Sequence, residues 1–549
     1  MKILIIGGVA GGATAAARLR RIDEIAEIVM IDKGAYISYA NCGLPYYIGG
    51  MIEERKKLFL QTPTSFGNRY DVDVRTFSEA IAIDRVNKKV TIKNLRTNKE
   101  YDEQYDKLIL SIGVDPIRPD IPGAFENGVF VLRNVDDTDA IKQYVETHKV
   151  QNAIVVGAGF VGMEMAENLY HLGANVTIVD MQSHVLPPLD FSMAALVHQH
   201  LKDKGVNLKL NTKVQAIYRK DDILEVCYSD GITQNVEMLI FAVGVTAENE
   251  LLKNSGLALD SHGAVIVDAH LKTSDNDIYA VGDMISVQHP LIDTMQSCYL
   301  AGPANKQGRV VANNIVFGDS YKYNGAIGTA ILKVFDLTVA FSGLSAQVMK
   351  DAGINYKSSI THSSSHATYY PQASPISIKL NFDAFTGQLY GAQVVGGNGV
   401  DKRIDVLSMV IKQKASVEAL CEFEHSYAPP YSSAKDPVNI AGFAAENLMH
   451  GLLDNITWHE LQADKEHYWL LDVRSQEECK SGMIEGAVNI PLDELRERLD
   501  EIIPGNKQIV VYCAVGLRAY IATRILLQNG FSALNLSGGY KTYHAVTQM

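Results

Sequence analysis

Apolar and polar positions alternate in blocks along this chain, and the first blocks set a pattern that recurs. Residues 2–6 (KILII) form an apolar run of strand length. A glycine cluster follows, then helix-spaced apolar positions over Ala13–Arg21, then a second apolar run, Glu27–Asp32. The order is strand, turn, helix, strand. It returns at Ala153–Val156, Gly157–Gly162, Met163–Leu172 and Asn175–Asp180. Two such units predict two nucleotide-binding domains. Over 327–400 the period shortens to two, as in ILKVFDLTVAF and PISIKLNF, which predicts an antiparallel sheet. A helical stretch follows near Ile404–Gln413. Glu446–Thr457 reads as a linker into a small α/β unit with strands at Trp469–Val473 and Ile509–Tyr512.

Composition narrows the class. The chain has 549 residues, which at about 100–200 residues per domain suggests three to five domains. Hydrophobic residues make up 47% and charged residues 21%, ordinary for a globular protein. A net charge of −13 argues against a nucleic-acid partner, although local basic spots can hold a phosphorylated small molecule. The apolar start is cut by Gly7 and Gly8 and reads as a strand entering a loop, not a leader. No apolar run approaches the ~20 residues of a membrane span, so no membrane partner is expected and the cytoplasm is the expected compartment. The six cysteines, Cys42, Cys227, Cys298, Cys421, Cys479 and Cys513, show no tight pair spacing and are expected as free thiols. No metal site is predicted.

The second glycine motif, Gly157-Ala-Gly159-Phe-Val-Gly162, directly follows an apolar strand. Gly157 makes the tight turn, Gly159 lets the backbone approach a pyrophosphate, and Gly162 lets helix and strand pack closely. Asp180 ends the next strand, where a carboxylate accepts hydrogen bonds from a ribose 2′-hydroxyl and repels a 2′-phosphate. NADH is therefore expected over NADPH. The first motif, Gly7-Gly8-Val9-Ala10-Gly11-Gly12, has Val9 in place of the middle glycine. Asp32 closes the following strand as the acid for a second adenine dinucleotide's ribose.

Further segments carry a resemblance. Thr273–Met284, with Gly282-Asp283, resembles the late flavin-binding motif of the two-dinucleotide flavoprotein disulfide reductases. Tyr105–Gly113 and Phe241–Gly244 resemble that superfamily's segments linking the flavin and nicotinamide domains. The resemblance implies FAD at the first motif, with Asp283 toward its ribityl and phosphate region, and hydride passing from the nicotinamide to the flavin.

Most members of that superfamily carry a C-x4-C pair; this chain has the single Cys42. SYANCGLPYYIGG, LAGPANKQGR, DKRIDVLSM and YAPPYSSAKDPVN resemble the coenzyme A-disulfide reductase family over residues 1–445. Lacking an internal partner, Cys42 would pair with the substrate's sulfur, and a thiol pKa lowered by a helix N-terminus or the flavin is expected. The resemblance further implies that Ser38 and Asn41 line the substrate thiol's approach. It places the coenzyme A nucleotide near Thr14, Arg18 and Arg21; the two arginines are three apart and share a helix face. Asn305 and Lys435 match further coenzyme A contacts, while Arg69 and Tyr70 stand where the family has a lysine. Tyr427 and Tyr369 resemble tyrosines that reach the active site from the partner of a homodimer, where a phenol can donate a proton to a leaving thiolate.

Two last segments, 471–492 and 509–518, resemble rhodanese domains. Cys513 opens a six-residue loop ending at Arg518, whose backbone N–H groups, Gly516 among them, would form a nest for a thiolate or persulfide. Arg518 is expected to support that loop, with Asp472 and Arg474 ordering it from behind; Met483 replaces a histidine usual in that family.

The fold class expected is α/β: two Rossmann-like dinucleotide-binding domains, an α+β dimerisation domain and a C-terminal α/β rhodanese domain. The ranges are 1–115 with 246–320 for FAD, 116–245 for NAD(P)H, 321–445 for dimerisation, 446–458 for a linker and 459–549 for rhodanese. The function expected is NADH-dependent reduction of persulfides or polysulfides, coenzyme A persulfide foremost, through a mixed disulfide at Cys42. Alternatives are a coenzyme A-disulfide reductase maintaining thiol pools, an NADH oxidase or peroxidase, and a sulfur carrier or redox sensor with little turnover. The peroxidase reading is disfavoured by Ala10, which stands where those enzymes carry a histidine.

Overall fold

The computed structural model describes residues 1–247 and 249–548. Glu248 and Met549, which fall within the expected flavin and rhodanese ranges, lie outside the described residues. The chain divides into two compact units, residues 1–181 with 209–328 and residues 182–208 with 329–549.

In the first unit, the strand Lys2–Ile6 is the centre of a parallel sheet. Glu27–Ile31 and Lys107–Leu110 flank it, with Asp73–Arg75 and Ile278–Ala280 at the edges. Ile3, Leu4 and Ile5 are fully buried, so both faces of the central strand are covered, as a parallel sheet requires. The helices Ala10–Ile22 and Ala301–Phe317 pack closely on each other: a Cβ at Gly308 would stand 2.5 Å from Gly11 O. A second parallel sheet has Asn152–Val156 between Asn175–Val179 and Met238–Phe241. The helix Phe160–His171 follows its central strand. Asp115–Pro116 pairs with Val245–Thr246, tying together the two passages between the sheets.

In the second unit, five antiparallel strands order as Ala330–Val334, Leu337–Gly343, Leu389–Gly396, Pro375–Asp383 and Tyr356–Ser364. Val400–Lys412 is helical and buries Ile404, Leu407 and Ile411. The C-terminal sheet is parallel, ordered Asn455–Ile456, Ala533–Leu536, Gln508–Tyr512, Tyr468–Asp472 and Val488–Asn489.

The stretch 446–458, expected as a linker, carries regular structure at both of its ends. A capping box at Asp436 starts the helix Pro437–Met449, and buried Ala441, Ala445 and Leu448 carry it past Glu446. Asn455–Ile456 is already an edge strand, and Thr457 caps the helix Trp458–Ala463. Residues 182–208, expected with the nicotinamide domain, group with the second unit. Their helix Phe191–Asp203 packs against the last helix, Gly539–Thr547, through Ala195, Ala545 and Val546. Beside it, His362 on the antiparallel sheet bonds Ser377 Oγ at 2.7 Å and Thr542 Oγ1 of the last helix at 3.0 Å. Burial holds the His362 imidazole down at about 3.

Candidate active site

The two glycine loops are built alike. Gly157 has φ +105° and ends its strand, and a Cβ at Gly162 would lie 1.9 Å from Gly157 O. Only glycine allows that turn and that approach. Gly7, at φ +101°, and Gly12, whose Cβ would lie 1.9 Å from Gly7 O, repeat the arrangement. A Cβ at Gly8 or Gly11 would strike Ile37 or Val281, and one at Gly159 would enter open space, which leaves room for a ligand to approach. Each loop folds back onto its acid. Gly8 N–H donates to Asp32 Oδ2 at 2.9 Å, Gly34 N–H to Asp32 Oδ1 at 2.8 Å, and Ala158 N–H to Asp180 Oδ2 at 2.6 Å. Burial pushes Asp32 up from the usual carboxylate range. Gly282 has φ +87° and its N–H bonds Gln307 Oε1 at 2.7 Å; next to it, burial raises Asp283 to about 6. The two cradles thus fit two adenine dinucleotides: an open backbone turn at a helix start, with a carboxylate at ribose distance along the next strand.

Cys42 is exposed and lies in the turn Asn41–Gly43, directly before the short helix Leu44–Ile48. That helix packs on Phe160–His171 so closely that a Cβ on Gly49 would stand 2.0 Å from Asn168 Oδ1. Tyr46 on the first helix donates to Glu164 Oε1 on the second at 3.2 Å. Burial and the neighbouring Glu167 push Glu164 up to about 7. The lowered thiol pKa expected for Cys42 is not found. Burial, with the carboxylates of Glu164 and Asp283, raises it. Negative charge disfavours a thiolate, and the short helix does not offset two facing acids.

Ser38 sits at φ +46°, its N–H bonded to Gly8 O and its carbonyl to Leu60 N–H, so the first glycine loop and the cysteine loop are stitched together. Asn41 is exposed beside Cys42. Thr14 donates to Asn305 Oδ1 at 2.7 Å, and Arg18 to Asn313 Oδ1 at 2.9 Å. Arg18 is lowered by burial and by the positive charges of Arg309 and Arg21, so three guanidinium groups share one patch. Arg309 escaped the sequence reading; its spacing of four from both Asn305 and Asn313 is the signal that could have found it.

In the second unit, Tyr369 and Tyr427 are exposed with their hydroxyls 3.0 Å apart. Arg403, 1% exposed, clamps the two loops that carry them: it donates to Ser365 O at 2.8 Å and to Asp436 Oδ2 at 2.8 Å. Lys435 is exposed in the same loop as Asp436.

Cys513 is buried, and Gly516 N–H points at its Sγ from 3.1 Å, with Gly516 at φ +115°. Tyr540 N–H bonds Cys513 O at 2.8 Å and Lys541 N–H bonds Ala514 O at 3.0 Å, so the last helix holds the loop from behind. Arg518 is held by Glu478 through two bonds of 2.7 and 2.6 Å. Glu478 was not singled out from the sequence, although Ser475-Gln-Glu-Glu478 has the spacing of a capping box. Asp472 and Arg474 pair with each other at 2.6 Å, and Arg474 reaches Gly482 O at 2.7 Å; they brace residues 475–482.

Comparison with known proteins bears on these sites. The profile described as pyridine nucleotide-disulphide oxidoreductase matches residues 1–308, more than half of the chain. The chain belongs to the pyridine nucleotide-disulphide oxidoreductase family. The dimerisation domain of these oxidoreductases matches residues 329–437, and a rhodanese-like domain matches residues 456–546. The coenzyme A disulfide reductase of Staphylococcus haemolyticus is 36% identical over 447 residues, covering 81% of this oxidoreductase and all of the relative. The crystal structure of reduced Bacillus anthracis CoADR-RHD is 47% identical with a TM-score of 0.97, covering 100% of this chain and 98% of that one. The NAD-dependent persulfide reductase from A. fulgidus is 39% identical with a TM-score of 0.93, covering 99% and 100%. No helix among the described residues is long and apolar enough to cross a membrane.

Proposed function

We infer that this oxidoreductase uses NADH to reduce persulfides, with coenzyme A persulfide as the preferred substrate, at Cys42. The observation that carries this reading is Cys42 itself: an exposed thiol in the turn that leads into a helix packed against the nucleotide helix, in a chain whose six cysteines are all free. The likeness to a persulfide reductase over nearly its whole length supports it.

In this reading Gly7, Gly8, Gly11, Gly12, Asp32 and Asp283 hold FAD, and Gly157, Gly159, Gly162 and Asp180 hold NADH. Bound there, FAD supplies two-electron transfer between the nicotinamide and sulfur. Cys42 attacks the inner sulfur of the persulfide; a Cys42–substrate disulfide forms and sulfide leaves. Two electrons then break that disulfide, returning the Cys42 thiolate and the free thiol. NADH, a proton and the persulfide give NAD+, the thiol and hydrogen sulfide. Arg18, Arg21 and Arg309 bind the nucleotide phosphates of coenzyme A, and Thr14 and Asn305 position the same end. Lys435 adds a contact. Tyr427 and Tyr369 act across a homodimer, donating a proton to the leaving thiolate. Six free thiols fit a reducing compartment, the cytoplasm.

The test is NADH oxidation with coenzyme A persulfide, coenzyme A disulfide and polysulfide, in wild type and Cys42→Ser. Persulfide is expected to give the highest kcat/KM, and Cys42→Ser to abolish turnover on all three. Faster disulfide turnover would favour the second reading, a coenzyme A-disulfide reductase, which the Staphylococcus relative supports. Retained turnover in Cys42→Ser would refute both.

A further inference from the structure

The reductase reading leaves open what loads the C-terminal thiol, and the loop around Cys513 bears on that. Its only backbone donor aimed at sulfur is Gly516 N–H, 3.1 Å from Sγ among the described residues. Farther out, the rim is apolar: Val515 is 38% exposed and Leu517 is 69% exposed. The one cation in the loop is Arg518, and both of its terminal nitrogens are engaged by Glu478. That pair holds Glu478 down at about 2, so it stays ionised throughout the physiological range. Glu478 is itself fixed, its Oε2 accepting from Ser475 N–H at 3.0 Å and Ser475 Oγ at 3.1 Å. Of the nearby cations, Arg474 is likewise engaged by Asp472, and Lys541 is half-buried and held by desolvation below the usual lysine range.

Sulfur donors differ in what they leave behind. A persulfide leaves a monoanionic thiolate on an organic body, which an apolar rim accommodates. Thiosulfate arrives as a dianion and leaves sulfite, and its oxygens need unpaired cations or donors at the mouth of the loop. We propose that Cys513 takes its sulfur from organic persulfides or polysulfides and discriminates against thiosulfate, with Glu478 enforcing the choice by occupying Arg518. This rests on the reading of the chain as a sulfane-sulfur enzyme and names the donor class for its second thiol. In the step, the Cys513 thiolate attacks the outer sulfur of RS–S−. The new S–S bond to Cys513 forms as the R–S bond to that sulfur breaks, and RS− leaves. The charge is unchanged, and no outside oxidant or reductant is required.

The test uses the full-length protein without NADH. Thiocyanate formation from cyanide is measured with an alkyl persulfide and with thiosulfate as donors, and Cys513→Ser as the control. The expected kcat/KM for persulfide exceeds that for thiosulfate by about a hundredfold. Leu517→Lys, an exposed change that places a cation at the rim and removes part of its apolar surface, should raise kcat/KM for thiosulfate about tenfold and lower that for persulfide, so that the preference narrows from both sides. Glu478→Gln, which frees Arg518, should move the ratio the same way. Comparable use of both donors by the wild type, or a thiosulfate rate unmoved by Leu517→Lys, would overturn the proposal. So would failure of the persulfide to load Cys513. Because the assay bypasses NADH and Cys42, that result leaves the reductase reading standing, whereas loss of NADH turnover would not touch this one.

Discussion

Tyr46 donates its phenolic hydrogen to Glu164 across 3.2 Å, and the contact joins the helix after Cys42 to the helix after the second glycine loop. Glu164 titrates near 7, so it is largely neutral in mild acid and ionised above neutrality. Once ionised, it opposes the thiolate of Cys42. Replacing it by glutamine removes a facing negative charge, which favours the thiolate. In reduced Glu164→Gln, alkylation of Cys42 by iodoacetamide at pH 8 should therefore be about threefold faster than in wild type. The difference should shrink below pH 7, where the native acid is already neutral. Equal rates at pH 8 would mean that Glu164 does not act on the thiol.

Asp180, at the end of Asn175–Val179, faces the glycine loop of the neighbouring strand and accepts from Ala158 N–H. Removing the carboxylate in Asp180→Ala should lose the 2′-hydroxyl contact and the repulsion of a 2′-phosphate together. The ratio of kcat/KM for NADH over NADPH should fall by about tenfold or more. An unchanged ratio would rule out the ribose contact.

The hydroxyls of Tyr369 and Tyr427 share one hydrogen bond, so either can hold the other's proton. Tyr427→Phe should lower kcat by about tenfold or more, while substrate KM changes little. Pre-steady-state measurement should place the loss in the step that releases the thiol. An unaffected kcat would remove the pair from the proton path.

The Arg403–Asp436 pair is buried, and Ser432 Oγ also donates to Asp436 at 2.5 Å. These bonds hold the Asp436 carboxyl below the usual range. Its contribution is therefore complete above the unfolded carboxyl value of about 4 and fades as pH falls through the lower folded value. Asp436→Asn leaves a buried guanidinium unpaired and should cost about 3 kcal/mol at pH 7, read as a lowered Tm. The gap to wild type should narrow in strong acid.

The nucleotide folds were legible because their signals are local. A glycine turn, an apolar strand and a terminal acid lie within about thirty residues of each other, and chain spacing is nearly spatial spacing. Cys513 was legible for the same reason, since its loop is continuous. The partners that set the chemistry were harder. Glu164 is 122 positions from Cys42 and Glu478 is 40 from Arg518, and nothing in either neighbourhood announces the meeting. The stretch expected as a linker differs in kind. The helix Pro437–Met449 is decided by the capping box at Asp436, ten residues upstream of Glu446, and by apolar residues on one face. The raised thiol of Cys42 follows from burial first and then from charges, both brought about only by folding.

The contact of His362 with Thr542, beside the apolar seam of Ala195, Ala545 and Val546, makes the C-terminal domain and the antiparallel sheet one cooperative body. They should melt in a single transition, and cleavage at 450–454 should leave the fragments associated. The seam also sets a cost for cutting the domain away: a chain ending before Asn455 would leave Ala195 on the helix Phe191–Asp203 without its cover and carry an adhesive patch into water.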